Sequence, residues 1–256
     1  MTMPTQAKTL LIAGSAHGIG RAIVDQAAAR GCPLALGDID AGALDAQAQA
    51  LAARGPLFTQ ALDVTTADSV QAFVDAACTA LGDIDALICN AGGVASLVVG
   101  GQVDASVKPF TASTAAEWRH IVDLNLYGAL NLAHAVLPRM IARGSGRLVF
   151  VSSAAGRNGS AGMAVYSAAK AGIIAFTQAL SREVGRAGIA VNAVAPGGIL
   201  TRAFPPGVTI SAERLARIPA GRMGTPDEVA NVVLYLACDA PQYLTGETIG
   251  VAGGPP

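Results

Sequence analysis

The stretch that decides the fold is Thr9-Leu10-Leu11-Ile12-Ala13-Gly14-Ser15-Ala16-His17-Gly18-Ile19-Gly20. Thr9 to Ala13 is a short, unbroken apolar run, the pattern of a strand buried on both faces. Three glycines follow at spacing G-x-x-x-G-x-G, and a helical pattern opens at Ile19 and runs to about Arg30. A glycine turn between strand and helix lets backbone N–H groups approach a pyrophosphate at the helix N-terminus. In a chain with 30 glycines the spacing alone says little. Its position at the first strand-to-helix turn gives it weight.

Outward from that turn, strand and helix patterns alternate. Pro33 to Gly37, Leu57 to Leu62, Ala86 to Cys89, Arg147 to Val151, Ile189 to Val194 and Thr248 to Val251 read as further strands. Helices fall near Ala41 to Ala53, Ala67 to Leu81, Ala115 to Ile141, Val165 to Arg186, and after Thr225-Pro226. Pro138 marks a kink or an end in the long Ala115 to Ile141 segment. The alternation predicts an α/β fold: a doubly wound, Rossmann-like parallel sheet of about seven strands with helices on both faces. No boundary signal divides it, so residues 1–256 read as a single dinucleotide-binding domain. Two long loops, about 91–113 and 196–224, follow strands and are placed to wall a substrate pocket.

Composition closes off other classes. Of 256 residues, 52% are hydrophobic and 14% charged, which excludes a mostly disordered chain. No apolar run reaches the roughly 18 residues of a membrane span, so the apolar content belongs to a core or to subunit contacts. A net charge of −1 and 4% aromatics fit neither the basic footprint nor the stacking surface of a nucleic-acid binder. Cys32, Cys78, Cys89 and Cys238 form no C-x-x-C pair and read as core packing. Met1 to Gln6 lacks a signal sequence, and the protein is expected in the cytoplasm. His120 and His134 show no ligand spacing, so no metal site is expected.

Two features carry chemistry. Asp38 ends the second strand, 18 residues after Gly20, with Gly37 and Ile39 beside it and no adjacent base. A carboxylate there can accept hydrogen bonds from an adenosine ribose and repels a 2′-phosphate, which favours NAD over NADP. Asp63, at the end of the third strand, is placed either to reach the adenine or to cap the next helix. Tyr166 and Lys170 stand at i and i+4 and share a helix face. An ammonium beside a phenol favours the phenolate, so Lys170 is expected to lower the Tyr166 pKa.

With those residues in place, the chain resembles the short-chain dehydrogenase/reductase family, in its branch of roughly 250 residues with a Y-x-x-x-K motif, from about Lys8 to Gly254. The glycine loop resembles the family's T-G-x-x-x-G-x-G, with Ala13 for the threonine. Asn90-Ala91-Gly92 is similar to its N-A-G, Asn125 to its helix asparagine, and Ser153, 13 residues before Tyr166, to its serine. Val191-Asn192, Pro196-Gly197 and Thr201 resemble the later elements. Ala252 stands where many relatives have Asp, and the segment from Gly93 to Phe110 looks longer than in many of them.

The resemblance implies exchange of a hydride between NAD and a secondary alcohol or its ketone. Tyr166 would be the acid/base and Ser153 would orient the substrate oxygen. Lys170 would lower the tyrosine pKa and hold the nicotinamide ribose, and Asn125 would hold a relay water. Gly14, Ser15, His17, Gly18, Ile19, Gly20, Asp38, Ile39, Asp63, Val64, Asn90, Ala91, Gly92, Pro196, Gly197, Ile199 and Thr201 would join Tyr166 and Lys170 around the cofactor. Val94, Leu97, Val98, Met163, Ile199, Leu200 and Phe204 suggest an apolar small-molecule alcohol or ketone as substrate, with Lys108 and Arg202 the nearby charges. A homotetramer or homodimer is implied, with no nucleic-acid or membrane partner. One alternative is an NADPH-dependent 3-oxoacyl-thioester reductase acting on an acyl carrier protein, with Arg143, Arg147 and Arg186 as a basic docking patch. Another is a non-catalytic nucleotide-binding regulator.

Overall fold

The computed structural model describes residues 7–93, 109–201 and 210–254. The first half of the chain runs β1 (Leu10–Ala13), α1 (Gly18–Ala29), β2 (Leu34–Asp38), α2 (Ala41–Leu51), β3 (Leu57–Ala61), α3 (Ala67–Leu81) and β4 (Ala86–Cys89). The second runs α4 (Ala115–Val122), α5 (Gly128–Arg143), β5 (Gly146–Val151), α6 (Ala154–Asn158) and α7 (Ala164–Val184). It ends with β6 (Ile189–Pro196), α8 (Ala212–Ala216), α9 (Pro226–Leu234) and β7 (Thr248–Val251). The seven strands form one parallel sheet in the order β3-β2-β1-β4-β5-β6-β7.

The unbroken apolar strands follow from burial on both faces. Leu10 and Ile12 point into a core shared with α1, α2 and α9. Leu11 and Ala13, the alternate residues, point into a second core under α3, α5 and α7. With no solvent face, the strand has no reason to alternate polar with apolar residues. This is the doubly wound architecture that the alternation of elements predicts. No helix among the described residues is long and apolar enough to cross a membrane.

Three local features go beyond these expectations. The helical segment from Ala115 to Ile141 carries a π-turn at Asp123–Tyr127, between α4 and α5. Asn125 Nδ2 donates to the Ile121 carbonyl at 3.1 Å and so stands in for a backbone donor there. Pro138 does not end the helix, which runs on to Arg143. Pro138 and His134 are both exposed, so water can take the place of the donor that proline lacks. The two long loops also carry structure of their own. Phe110–Ala112 form a 3-10 turn, α8 lies in the second loop, and Ile199 bridges to Gly224. Val94, Leu97, Val98, Lys108, Arg202 and Phe204 lie outside the described residues.

The basic residues considered as a docking patch lie at the N-terminal edge of the sheet, away from the glycine turn. Arg143 donates to the carbonyls of Ile84 and Ser145 and lies 3.5 and 3.6 Å from Asp83 and Asp85. Arg147 donates to Leu236 O at 3.0 Å and to Ala240 O, at the end of the turn that follows α9. Those are the carbonyls a helix end leaves without donors. Arg147→Met removes both bonds while keeping the stem, and is expected to cost about 2–3 kcal/mol. Thermal melting should fall by about 5–10 °C. A melting point unchanged from the wild type would show that these bonds do not hold the helix end.

Candidate active site

The site forms at the C-terminal edge of the sheet, where β1 and β4 are neighbours and their onward connections diverge. In open parallel sheets ligands bind at such a switch point. Asn90 and Ala91, just past β4, donate their N–H groups to Ala13 O at 3.0 and 2.9 Å. Asn90 Nδ2 donates to Gly14 O at 2.7 Å. The turn is so tight that a Cβ at position 20 would sit 1.8 Å from Gly14 O, so only glycine fits there. Unlike α2, which Asp40 caps, α1 has no side-chain acceptor at its N-cap His17 and no acid in its first turn. Its first N–H groups therefore suit an anion, and the turn fits the pyrophosphate of a dinucleotide.

Asp38 is engaged with the backbone through both of its oxygens. Its Oδ2 accepts the Ala16 N–H at 3.0 Å and its Oδ1 the Asp40 N–H at 3.1 Å, tying the glycine turn to the end of β2. His17 Nε2 lies 2.8 Å from Asp40 Oδ2, a second tie between the same segments. Ile39, between the two acids, is 72% exposed and can cover a flat ring. Asp63 Oδ1 accepts from Thr65 N and Oγ1 at 2.9 and 2.6 Å, while Thr66 is the N-cap of α3. Its carboxylate shapes a local turn and does not cap the helix. Val64 is a core residue whose carbonyl accepts from Asn131 Nδ2 at 2.9 Å.

On the other flank, the Gly197 N–H donates to Val251 O at 2.9 Å, and Pro196 ends β6. Ile199 is buried, and the Thr201 methyl lies 3.4 Å from where a Cβ on Gly18 would stand. This chain segment thus closes against the start of α1.

Ser153, Tyr166, Lys170 and Asn125 come together beside the turn. Ser153 caps α6, its Oγ accepting from Ala155 N at 3.1 Å, and its side chain lies close enough to Tyr166 to act on the phenol. Ser152 Oγ donates to Lys170 O at 2.8 Å and fastens α7 to the end of β5. Lys170 Nζ donates to Val151 O at 2.9 Å and lies 5.9 Å from the centre of the Tyr166 ring. Asn125 Oδ1 accepts the Gly93 N–H at 2.8 Å. A Cβ at position 92 would lie 2.6 Å from Asn125 Oδ1 and 3.4 Å from Lys170 Nζ, so glycine lets the strand end pass between them. With Ile121 O on its other end, the Asn125 amide has protein partners on both sides. The side chain braces the helix against the segment that follows β4.

The electrostatics correct one expectation. Burial pushes the Tyr166 phenol above its ordinary pKa, and the neighbouring Ser153 side chain offsets this only in part. The Lys170 ammonium, 5.9 Å from the ring centre, does not bring the phenol below its ordinary value. Burial instead lowers Lys170 itself to about 8, with Cys89 opposing the shift.

Gln47 was not evident as a site residue, yet it is fully buried on α2 and donates to Ser15 O at 3.2 Å. The signal for it is a polar residue on the apolar stripe of Leu44 and Leu51, at i+3 between i and i+7.

The geometry agrees with comparisons to known proteins. A family profile described as "Enoyl-(Acyl carrier protein) reductase" matches residues 13–255. The 3-oxoacyl-[acyl-carrier-protein] reductase FabG of Thermotoga maritima is 36% identical over 256 residues, covering 98% of this chain and 99% of that protein. The cis-4-hydroxycyclohexanecarboxylate dehydrogenase of Sinomonas cyclohexanicum is 36% identical over 259 residues, with 96% of each chain covered. The crystal structure of levodione reductase superposes with a TM-score of 0.84 at 30% identity, again over 96% of each chain. The chain belongs to the short-chain dehydrogenase/reductase family and is an oxidoreductase of that family.

The Lys170 shift has a measurable consequence. Its folded pKa is depressed, so the unfolded chain binds the extra proton between about 8 and 10.5, and stability rises with pH across that window. Lys170→Met removes the titration. The melting point of this variant minus that of the wild type should therefore be largest near neutral pH and shrink as pH rises towards 10.5. A difference independent of pH would show that the ammonium carries no burial penalty.

Proposed function

We propose that the chain, acting as one dinucleotide-binding domain, interconverts a ketone and a secondary alcohol, with Tyr166 as the acid/base. The observation that carries this reading is the meeting of Tyr166, Ser153 and Lys170 beside an uncapped glycine turn. A bound nicotinamide dinucleotide supplies or accepts the hydride. In reduction Tyr166 Oη gives its proton to the carbonyl oxygen; in oxidation it takes the hydroxyl proton. The Ser153 hydroxyl is placed to donate to the same oxygen and to stabilise its developing charge. Lys170 keeps two ammonium hydrogens beyond the one on Val151 O, and these can meet a ribose hydroxyl. A cation at that distance from the phenol favours its ionised form once the proton leaves.

For the substrate, the names of the relatives support a 3-oxoacyl thioester better than a free alcohol, and that ketone is the first to test. A carrier protein would have to dock elsewhere than at Arg143 and Arg147, whose guanidinium groups are engaged at the far edge. A free cyclic alcohol is the second reading, supported by the relative that acts on a hydroxycyclohexanecarboxylate and by apolar Met163, Ile199 and Leu200. Asp38 supports NAD over NADP, which sets it against the NADPH dependence of the thioester reading. Exposed Phe110, Tyr127 and Ile141 support a homo-oligomer, a tetramer or dimer. Four free cysteines support a reducing, cytoplasmic setting.

Steady-state rates with NADH and NADPH against a 3-oxoacyl thioester and a panel of cyclic ketones separate these readings. Binding without turnover on any of them would favour the non-catalytic regulator. Tyr166→Phe should lower kcat by about 10²–10⁴ while dinucleotide affinity changes little. A Tyr166→Phe enzyme with near wild-type kcat would sink the mechanism.

Asp38→Asn should shift the NADP(H)-to-NAD(H) ratio of kcat/KM upward by about tenfold, the scale of one like-charge contact removed. Asp38→Ala should also weaken both cofactors, because the Ala16 and Asp40 N–H groups lose their acceptor. An unchanged ratio in both variants would remove Asp38 from cofactor choice.

A further inference from the structure

We infer that Gln47 is a positioning residue for the glycine turn, its amide holding the shape of the cofactor site at no gain in stability. The inference rests on the dinucleotide reading of that turn. Three side chains from three parts of the fold fix two successive peptide groups of the turn. Asn90, past β4, holds Gly14 O; Asp38, at the end of β2, holds Ala16 N; and Gln47, on α2, holds Ser15 O at 3.2 Å. The remaining ties on Ser15 are long, with its N and Oγ at 3.3 and 3.4 Å from Gly37 O, a carbonyl that also accepts Gly14 N at 2.8 Å. Ala13, just before the turn, has no hydroxyl to add. Asp38 and Gln47 thus hold opposite ends of one planar group, the Ser15–Ala16 peptide, and Gln47 completes the two-point hold that aims the N–H groups that follow.

The surroundings of Gln47 say that stability did not select it. The side chain is fully buried between Leu44 and Leu51 on the apolar face of α2, and its Oε1 has no hydrogen-bond partner among the described residues. A buried carbonyl without a donor is unfavourable. An apolar residue would suit that stripe better on packing alone. Replacing Gln47 by Met removes one unpaired carbonyl, Oε1, and leaves another, Ser15 O, so the melting point should move little. What is lost is the donor that sets the turn.

The test is binding of NADH, followed by its fluorescence, to the wild type, Gln47→Met and Gln47→Leu, with adenosine as a competitor that lacks the pyrophosphate. NADH affinity should fall about tenfold, the scale of one hydrogen bond, while adenosine competes as well as before. In turnover the loss should fall chiefly on KM for the dinucleotide, with KM for the ketone and kcat changing less. Equal NADH affinity in wild type and variants would overturn the proposal. So would an equal loss for adenosine, or variants that melt far below the wild type or fail to fold, since each makes Gln47 an ordinary core residue. A wild type that binds neither NADH nor NADPH would instead overturn the reading of the whole site, and Gln47 with it.

Discussion

The structure hangs on the hydrogen bonds that carry the end of β4 onto the end of β1. Asn90 and Ala91 both donate to Ala13 O, and the Asn90 amide reaches one residue further to Gly14 O. These bonds join the two halves of the sheet where their connections diverge. They also stretch the chain into the narrow turn that forbids a side chain at Gly20. Without them the switch point would be an open crevice lined by unpaired backbone groups, a costly arrangement in a core this apolar. The anion-binding end of α1 is thus a by-product of how the sheet is closed.

The proton-handling groups depend on the same crevice from the other side. Gly92, directly after Asn90 and Ala91, threads between Asn125 and Lys170, and Gly93 donates to the Asn125 amide. The π-turn in the long helix makes this possible, because it turns a buried asparagine toward the sheet while its amide mends the interrupted ladder. Such π-turns occur often at functional sites. Here the local defect in the helix and the placement of the lysine are one feature.

Much of this was legible in the sequence. Strands buried on both faces reveal themselves as apolar runs, and the Tyr166–Lys170 pair is a matter of helical spacing. The parts that were not legible share a cause: a side chain replaces a backbone partner, and nothing in local periodicity records it. Asn125 sits in a π-turn within a helix that its neighbours would continue regularly. Asp38 accepts two backbone N–H groups besides lying where a ribose would be sought. Asp63 serves Thr65 rather than the first turn of α3, whose N-cap position Thr66 occupies. The raised pKa of Tyr166 was hidden for a different reason, since spacing places two groups on one face but does not reveal how dry their surroundings are.

The two apolar cores have a consequence for how the protein can change. The glycine turn is footed on the layer of α1, α2 and α9, whereas α7, which carries Tyr166 and Lys170, is footed on the layer of α3 and α5. The sheet and the short segment from Asn90 to Gly93 are common to both. Repacking one layer acts first on the glycine turn, and repacking the other acts first on Tyr166 and Lys170. Drift in one layer can therefore be absorbed without retuning the other. A division of labour of this kind lets a lineage keep its chemistry while its cofactor habits wander, or the reverse.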